Sequence, residues 1–373
     1  MLRDYQTFMG SEMDIKKRDF LLAGAALGAG LAATSAKAAQ YKQPSSVDMN
    51  YKPRRINKVI ELWEDGQPIY YTGWGVNETT DPYEQGVKMA GTWADAISIE
   101  MEHGAFDMKT LRDFMRGLRD GGPTASGHKF PATFVTPPVI GLDESYARAN
   151  TWVLEQILCC GVTGIHICHS RDAQAVATYM YMGCRYPFQD RPNVPKMPMQ
   201  GLRGNSAGYA ANIWGVSGGT YQHIADLWPL NPRGEIFFGV KIEDTYGDKA
   251  AADILALPGM AMAEWGPGDH NLWLNGYNSV AEGGLSGHPV VRDASGKVIE
   301  DVSAMPNMEA VRKNVLDLCK KNNVKFLNAA ETEPGHNNVI QQIKDGCMVV
   351  STGREGEKVA QMGREYTKRK MPV

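Results

Sequence analysis

The sequence predicts an α/β protein: a (β/α)8 TIM barrel with long loop insertions. Three observations predict it. From about Ile69 onward, short apolar runs alternate with segments of helical periodicity, the pattern of repeated βαβ units. The runs number eight, the strand count of a closed parallel barrel. The chain has 373 residues, 43% of them hydrophobic, enough for a large core. Barrels of about 250 residues commonly form one domain, which leaves room for insertions.

The expected strands are Ile69–Trp74, Ala96–Ile99, Ala132–Val135, Gly164–Cys168, Ile236–Val240, Met260–Ala263, Val324–Asn328 and Cys347–Val350. Helical periodicity marks Asp107–Leu118, Ser145–Leu158, Ala173–Met182, Met308–Lys321 and Asn337–Lys344. Two stretches break the rhythm. Residues 186–233 are rich in proline, and residues 276–305 in glycine. Long irregular loops in a compact domain are usually functional or mobile. Loops that follow strands build the active face of such a barrel. The glycines of Gly215-Val216-Ser217-Gly218-Gly219 lack the strand–turn–helix frame of a phosphate loop.

Residues 1–39 read as an export signal. Lys16-Lys17-Arg18 leads into the apolar stretch Ala23–Ala33, and Ala36-Lys37-Ala38 offers a small-residue cleavage pattern. Lys17-Arg18-Asp19-Phe20-Leu21 is similar to a twin-arginine signal with lysine in the first place. Met13 fits as the true start. The expected location is the periplasm, with a cytoplasmic tail as the alternative. The apolar stretch is too short and too rich in Gly and Ala for a stable membrane span. Residues 40–56 read as a polar linker arm, and 57–373 as the catalytic domain.

The formal charge is −3 and no basic stripe tracks a phosphate backbone, which argues against nucleic acid as partner. The six cysteines are too sparse for a disulfide framework and lack zinc spacing. They read as small buried hydrophobes.

Two acids stand out. Glu243 follows the run Ile236–Val240, and Asp269 follows the run that ends at Ala263. If both runs are neighbouring parallel strands, two carboxylates meet at one rim. Hard divalent cations such as Mg²⁺ or Mn²⁺ favour all-oxygen sites of this kind.

Further upstream, Ile99 is followed by Glu100-Met101-Glu102-His103-Gly104. With Lys241-Ile242-Glu243 and Gly266-Pro267-Gly268-Asp269, this resembles the HpcH/HpaI aldolase family of metal-dependent pyruvate aldolases. Cys184-Arg185-Tyr186-Pro187 and Gly201-Leu202-Arg203-Gly204 extend the resemblance, which runs from about Tyr70 to the C-terminus. It implies a TIM barrel, Glu243 and Asp269 as metal ligands, and His103 as acid/base. It also implies that backbone amides near Gly268 and Asp269 face a substrate oxyanion or carboxylate, and that the protein is a homo-oligomer. Glu100 stands where the family has Asp, so it either binds the metal directly or shifts its water.

Two departures bear on the substrate. The family's pyruvate-binding Arg is Thr136 here, and the Asp partner of the catalytic His is Cys159. A neutral hydroxyl does not replace a guanidinium at a developing oxyanion. Cys168 and His169 stand where the family is usually apolar. His169 offers a donor to substrate or a substitute in the proton relay. Trp74, Trp265, His270 and Trp273 suggest a pocket for an aromatic or apolar substrate. The expected function is a metal-dependent lyase of aldol/retro-aldol type that releases a small aldehyde from a hydroxylated aromatic or apolar substrate. The alternatives are a 2-keto-acid aldolase with a substituted oxyanion donor, such as His169, and an exported, non-catalytic small-ligand binder.

Overall fold

The computed structural model describes residues 41–75, 80–195, 200–276, 290–292, 298–353 and 355–373. The expected export signal lies outside the described residues, as does most of the glycine-rich insertion 276–305. No helix among the described residues is long and apolar enough to cross a membrane.

Eight strands form the barrel: β1 (Ile69–Gly75), β2 (Ala96–Glu100), β3 (Ala132–Thr136), β4 (Gly164–Ile167), β5 (Ile236–Lys241), β6 (Met262–Glu264), β7 (Lys325–Ala330) and β8 (Cys347–Thr352). Each pairs in parallel with the next, from Tyr71 opposite Ala96 round to Phe326 opposite Cys347. Ile69 opposite Val349 closes the ring. All eight expected runs are strands, with β6 and β7 displaced toward the C-terminus by one or two residues at each end.

Alternation along each strand sorts the side chains. Ile69, Ala96, Ala132, Phe134, Phe237, Met262, Leu327 and Val349 fill the interior. Ile97, Ile99, Val135, Ile165, Ile167, Phe238 and Val240 face the helices. Burying each large apolar side chain stabilises the fold by about 1.5–3 kcal/mol. The N-terminal helix Lys58–Glu64 adds Val59, Ile60, Leu62 and Trp63 to the interior cluster and so closes the barrel floor. There Trp63 stacks on Trp228 at 5.8 Å and meets Phe237 edge-on at 5.2 Å.

The outer helices are α1 (Pro82–Met89), α2 (Met108–Gly121), α3 (Glu144–Leu158), α4 (Ala173–Thr178), α5 (Thr245–Leu255), α6 (Pro306–Asn322), α7 (Val339–Asp345) and α8 (Gly356–Tyr366). Asp81, Asp107, Asp143, Asp172 and Asp244 each accept a first-turn amide, which satisfies orphan donors and complements the helix dipole. Sequence periodicity does not single out α1, α5 or α8. The buried face of α5 is Gly247, Ala251, Ile254 and Leu255, so apolar contrast is low.

The two insertions leave from opposite ends of the barrel. Residues 186–233 follow α4 and its terminal π turn Tyr179–Gly183, not a strand. Their described anchor points at Asp226 and Trp228 therefore lie on the floor side, away from the face expected for loops that follow strands. Arg185 holds Asp226 there in a buried two-point pair at 2.6 and 3.0 Å, and Trp228 packs on the floor helix. The insertion 276–305 follows β6 and its loop helix Pro267–Asn275, which leaves from the opposite face. Its described part includes an antiparallel pairing of Val290–Arg292 with Val298–Asp301.

Residues 41–56 are not a free linker. Ser46 Oγ donates to the Arg369 carbonyl, and Asp48 N–H to the Lys370 carbonyl. Arg369 in turn makes a buried two-point pair with Asp95, at 2.6 and 2.8 Å, just before β2.

Candidate metal centre

The upper ends of the strands converge on a ring of charged groups. On β5, Phe237, Gly239 and Lys241 point inward in turn, and on β6 Met262 and Glu264 do the same. Gly239 leaves room for His166. A Cβ there would lie 2.6 Å from Met262 Cε and 3.2 Å from the imidazole, so Met262 also needs the space. Lys241 Nζ donates to Glu102 Oε2 at 3.4 Å, and Glu264, Cys168 and Glu243 surround it as well. Burial opposes its charge, but these groups outweigh burial and hold the ammonium protonated well above the usual lysine range. His166 is pushed down to about 3 by burial and by the nearby Lys241 charge. Its Nε2 lies 3.7 Å from Glu264 Oε2.

Glu243 and Asp269 do meet. With His169 they each bring one donor atom within 4.8 Å of the others. Glu102, Cys168 and Glu243 form an overlapping group. Glu243 is 2% exposed, accepts the His169 N–H at 2.7 Å, and is pushed up to about 7 by burial despite Lys241 and His169. Gly266 makes this closeness possible. It has φ of +37°, and a Cβ on it would overlap Glu243 and lie 2.6 Å from Oε2. Only glycine tolerates both.

The loop helix Pro267–Asn275 begins at Gly266, and its first intrahelical bond runs from the His270 N–H to the Gly266 carbonyl. The amides of Gly268 and Asp269 precede it and project from the helix end, where partial positive charge favours an anion.

The second acid of the Glu-Met-Glu-His segment, not the first, enters the ring. Glu100 Oε1 accepts the N–H groups of Glu102 (2.6 Å) and His103 (3.1 Å). That turn carries Glu102 inward to Cys168, Lys241 and His169. His103 sits at the rim, 74% exposed, with Nδ1 3.9 Å from both Glu100 and Glu102. Thr136 ends β3 and is buried.

His169 is enclosed by acids. Its Nδ1 lies 3.1 Å from Asp244 Oδ2 and 3.8 Å from Glu243 Oε1, and its Nε2 lies 3.8 Å from Glu102 Oε1. The Asp244 hydrogen bond raises its pKa, against burial, with Glu243, Asp269 and Glu102 adding to the rise. Asp244 is itself fixed by the Arg171 Nε at 2.7 Å and by the amides of Tyr246 and Gly247.

The expected aromatic wall is mostly packing. Trp265 is 1% exposed and its indole donates to Asn328 at 2.7 Å. His270 is fully buried between the Trp265 carbonyl and Asp248. Trp74 stacks on Phe114 at 3.8 Å. Trp273 alone is exposed. It meets Tyr246 edge-on at 5.7 Å, with the Arg171 guanidinium over both rings.

Glu102, Glu243, Asp244, Glu264 and Asp269 outnumber the permanent cations Lys241 and Arg171 around this ring. A surplus of negative charge on clustered oxygen donors fits a divalent cation, so the residues suit the metal expected from sequence. Sequence reading missed Lys241, Glu102, Glu264 and His166 as members of the ring. Inward parity along β4, β5 and β6 was the signal that could have found three of them.

No protein-family model and no curated protein matches the chain. Solved structures do match. The chain is similar to an HpcH/HpaI aldolase from Desulfitobacterium hafniense DCB-2, with TM-score 0.53, 15% identity, and coverage of 83% of this chain and 95% of that one. It is similar to an HpcH/HpaI aldolase/citrate lyase family protein from Burkholderia cenocepacia J2315, with TM-score 0.53, 17% identity, and coverage of 84% and 98%. It is also similar to the citrate synthase SbnG, with TM-score 0.52, 17% identity, and coverage of 84% and 97%. At these identities the likeness is one of fold.

Proposed function

We propose that the chain is a metal-dependent carbon–carbon lyase of aldol type whose enolate partner is a 2-keto acid. The observation that carries this reading is Lys241, a half-buried ammonium inside the acid ring at the mouth of the barrel. Thr136 in place of an arginine had pointed away from keto acids. Lys241 restores a fixed positive donor from another strand, and the structural relatives described as aldolases and a citrate synthase agree with that chemistry.

A divalent cation on Glu243 and Asp269, when bound, supplies Lewis-acid polarisation of substrate oxygens. The Lys241 ammonium donates to the keto oxygen and stabilises the charge that develops there as the enolate forms. The Gly268 and Asp269 amides face the substrate carboxylate. His103 at the rim takes the hydroxyl proton in the cleavage direction and returns it in synthesis. Glu102 positions Lys241 through their hydrogen bond.

The test is release of pyruvate from a panel of 4-hydroxy-2-keto acids, with and without a chelator. Chelator-sensitive release supports the proposal, and inert keto acids refute it. A second reading, cleavage of a hydroxylated aromatic substrate with loss of a small aldehyde, is favoured by the exposed Tyr246–Trp273 pair beside Arg171. It requires aldehyde release from aromatic alcohols in the same assay.

Export to the periplasm and self-association are also proposed. A mature start near Ala39 in the native host supports the first, and light scattering reads the second.

A further inference from the structure

His169 has a hydrogen-bond arrangement that the proposed reaction leaves unused. Its Nδ1 faces Asp244 Oδ2 at 3.1 Å. Arg171 and two helix amides hold that carboxylate in place, so it acts as a fixed acceptor. In the neutral tautomer the proton therefore sits on Nδ1, and Nε2 keeps its lone pair. Histidines that bind metals usually donate their other ring N–H to a carboxylate in this way. The His169 backbone N–H also donates to Glu243 Oε1 at 2.7 Å, so one residue braces the acid beside it.

The geometry points to His169 as a third protein ligand of the metal, through Nε2, making the centre a mixed nitrogen–oxygen site. This rests on Glu243 and Asp269 holding a cation, and not on the aldolase reading. One ring nitrogen of His169 lies within 4.8 Å of an oxygen of Glu243 and of Asp269; Nδ1 is 3.8 Å from Glu243 Oε1, and Nε2 is 3.8 Å from Glu102 Oε1, on the same ring of acids. An imidazole ligand changes which ion the site prefers. Carboxylate and water suit Mg²⁺, whereas a nitrogen ligand favours the transition ions, with affinity rising from Mn²⁺ through Fe²⁺ to Co²⁺ along the series. The chain should therefore discriminate against Mg²⁺, unlike a site of two carboxylates and water.

The experiment uses the full chain and the metals alone, without turnover. His169→Asn is the informative variant, because the backbone there has φ of +42° and asparagine is among the residues that tolerate it. Co²⁺ and Mg²⁺ affinities are measured by calorimetry, and pulsed EPR of bound Mn²⁺ reads directly coordinated nitrogen. Wild type should show an imidazole nitrogen coupling that His169→Asn lacks. The variant should lose Co²⁺ affinity by at least about 10–100-fold, the range for losing only a hydrogen-bond partner of a metal ligand, and Mg²⁺ affinity by only a few-fold. Equal losses for both metals would mark His169 as a brace only and overturn the proposal. So would a wild-type Mn²⁺ centre without nitrogen coupling. A metal-loaded protein with the nitrogen signal but no lyase activity would leave this inference standing and refute the proposed function alone.

Discussion

Lys241 Nζ lies 3.4 Å from Glu102 Oε2, and the same carboxylate oxygen accepts the Cys168 thiol at 2.6 Å. This contact joins β5 to the turn after β2 across the mouth of the barrel. It places a cation among acids that a metal alone would otherwise balance. A lysine among acids is pre-oriented, so it need not reorganise when charge develops on a substrate oxygen.

Replacing that cation separates its role from metal binding. Lys241→Met keeps most of the side-chain volume and removes the charge. We expect a loss of about 10²–10³ in kcat for keto-acid cleavage, comparable to deleting one oxyanion donor. Bound metal, measured by elemental analysis, should stay at the wild-type level. Undiminished kcat in this variant would remove Lys241 from the reaction.

Gly266 offers a test through sterics. An alanine there pushes its Cβ into Glu243 and must hold φ near +37°. Gly266→Ala should destabilise the fold by about 1–3 kcal/mol, the range for a strained backbone site. It should also weaken metal binding at least tenfold, since Glu243 must move. Thermal melts and calorimetry check both. Unchanged metal affinity would mean that Glu243 is not held in a ligating position.

At the floor, Glu61 sets a pH dependence. Its side chain is buried and accepts from Tyr51 Oη, His128 Nε2, and the backbone N–H groups of Arg54 and Arg55. Burial alone raises its pKa, but the His128 and Tyr51 hydrogen bonds and the remaining donors bring it down to about 2. The folded value lies below the unfolded one. The stabilisation is therefore complete above about pH 4.5 and is lost as pH falls toward 2. Its size is on the order of 3 kcal/mol. Glu61→Gln should lower the Tm clearly at pH 7 and much less at pH 3. A gap of constant size across that range would contradict the linkage.

Much of the barrel was legible because its strands are buried on both faces and so read as short continuous apolar runs. The same property hid the ring. A run such as Ile236–Val240 gives no polar marker of which face points inward, so Lys241 read as the residue after a strand, although it is the last inward position of β5. Glu243 and Asp269 were legible because acids after apolar runs are conspicuous. Choosing between Glu100 and Glu102 depended on a turn in which Glu100 caps two amides, a local hydrogen bond that periodicity does not encode. Trp265 and His270 were singled out for proximity to Asp269, and the structure buries them against Asn328 and Asp248. Proximity in sequence identified the loop but not the side of it that each residue takes.

The central claim is that this chain forms a keto-acid enolate with the help of a bound divalent cation. The most direct measurement is hydrogen–deuterium exchange at the methyl group of pyruvate in D2O, followed by proton NMR, with the protein loaded with Mn²⁺ or Co²⁺ and again after chelation. The account predicts that the methyl signal decays with loaded wild type, and that decay stops in chelator and in Glu243→Gln. Lys241→Met should slow it by about 10²–10³. No exchange by the fully loaded wild-type protein, or exchange at an unchanged rate in chelator, would contradict it.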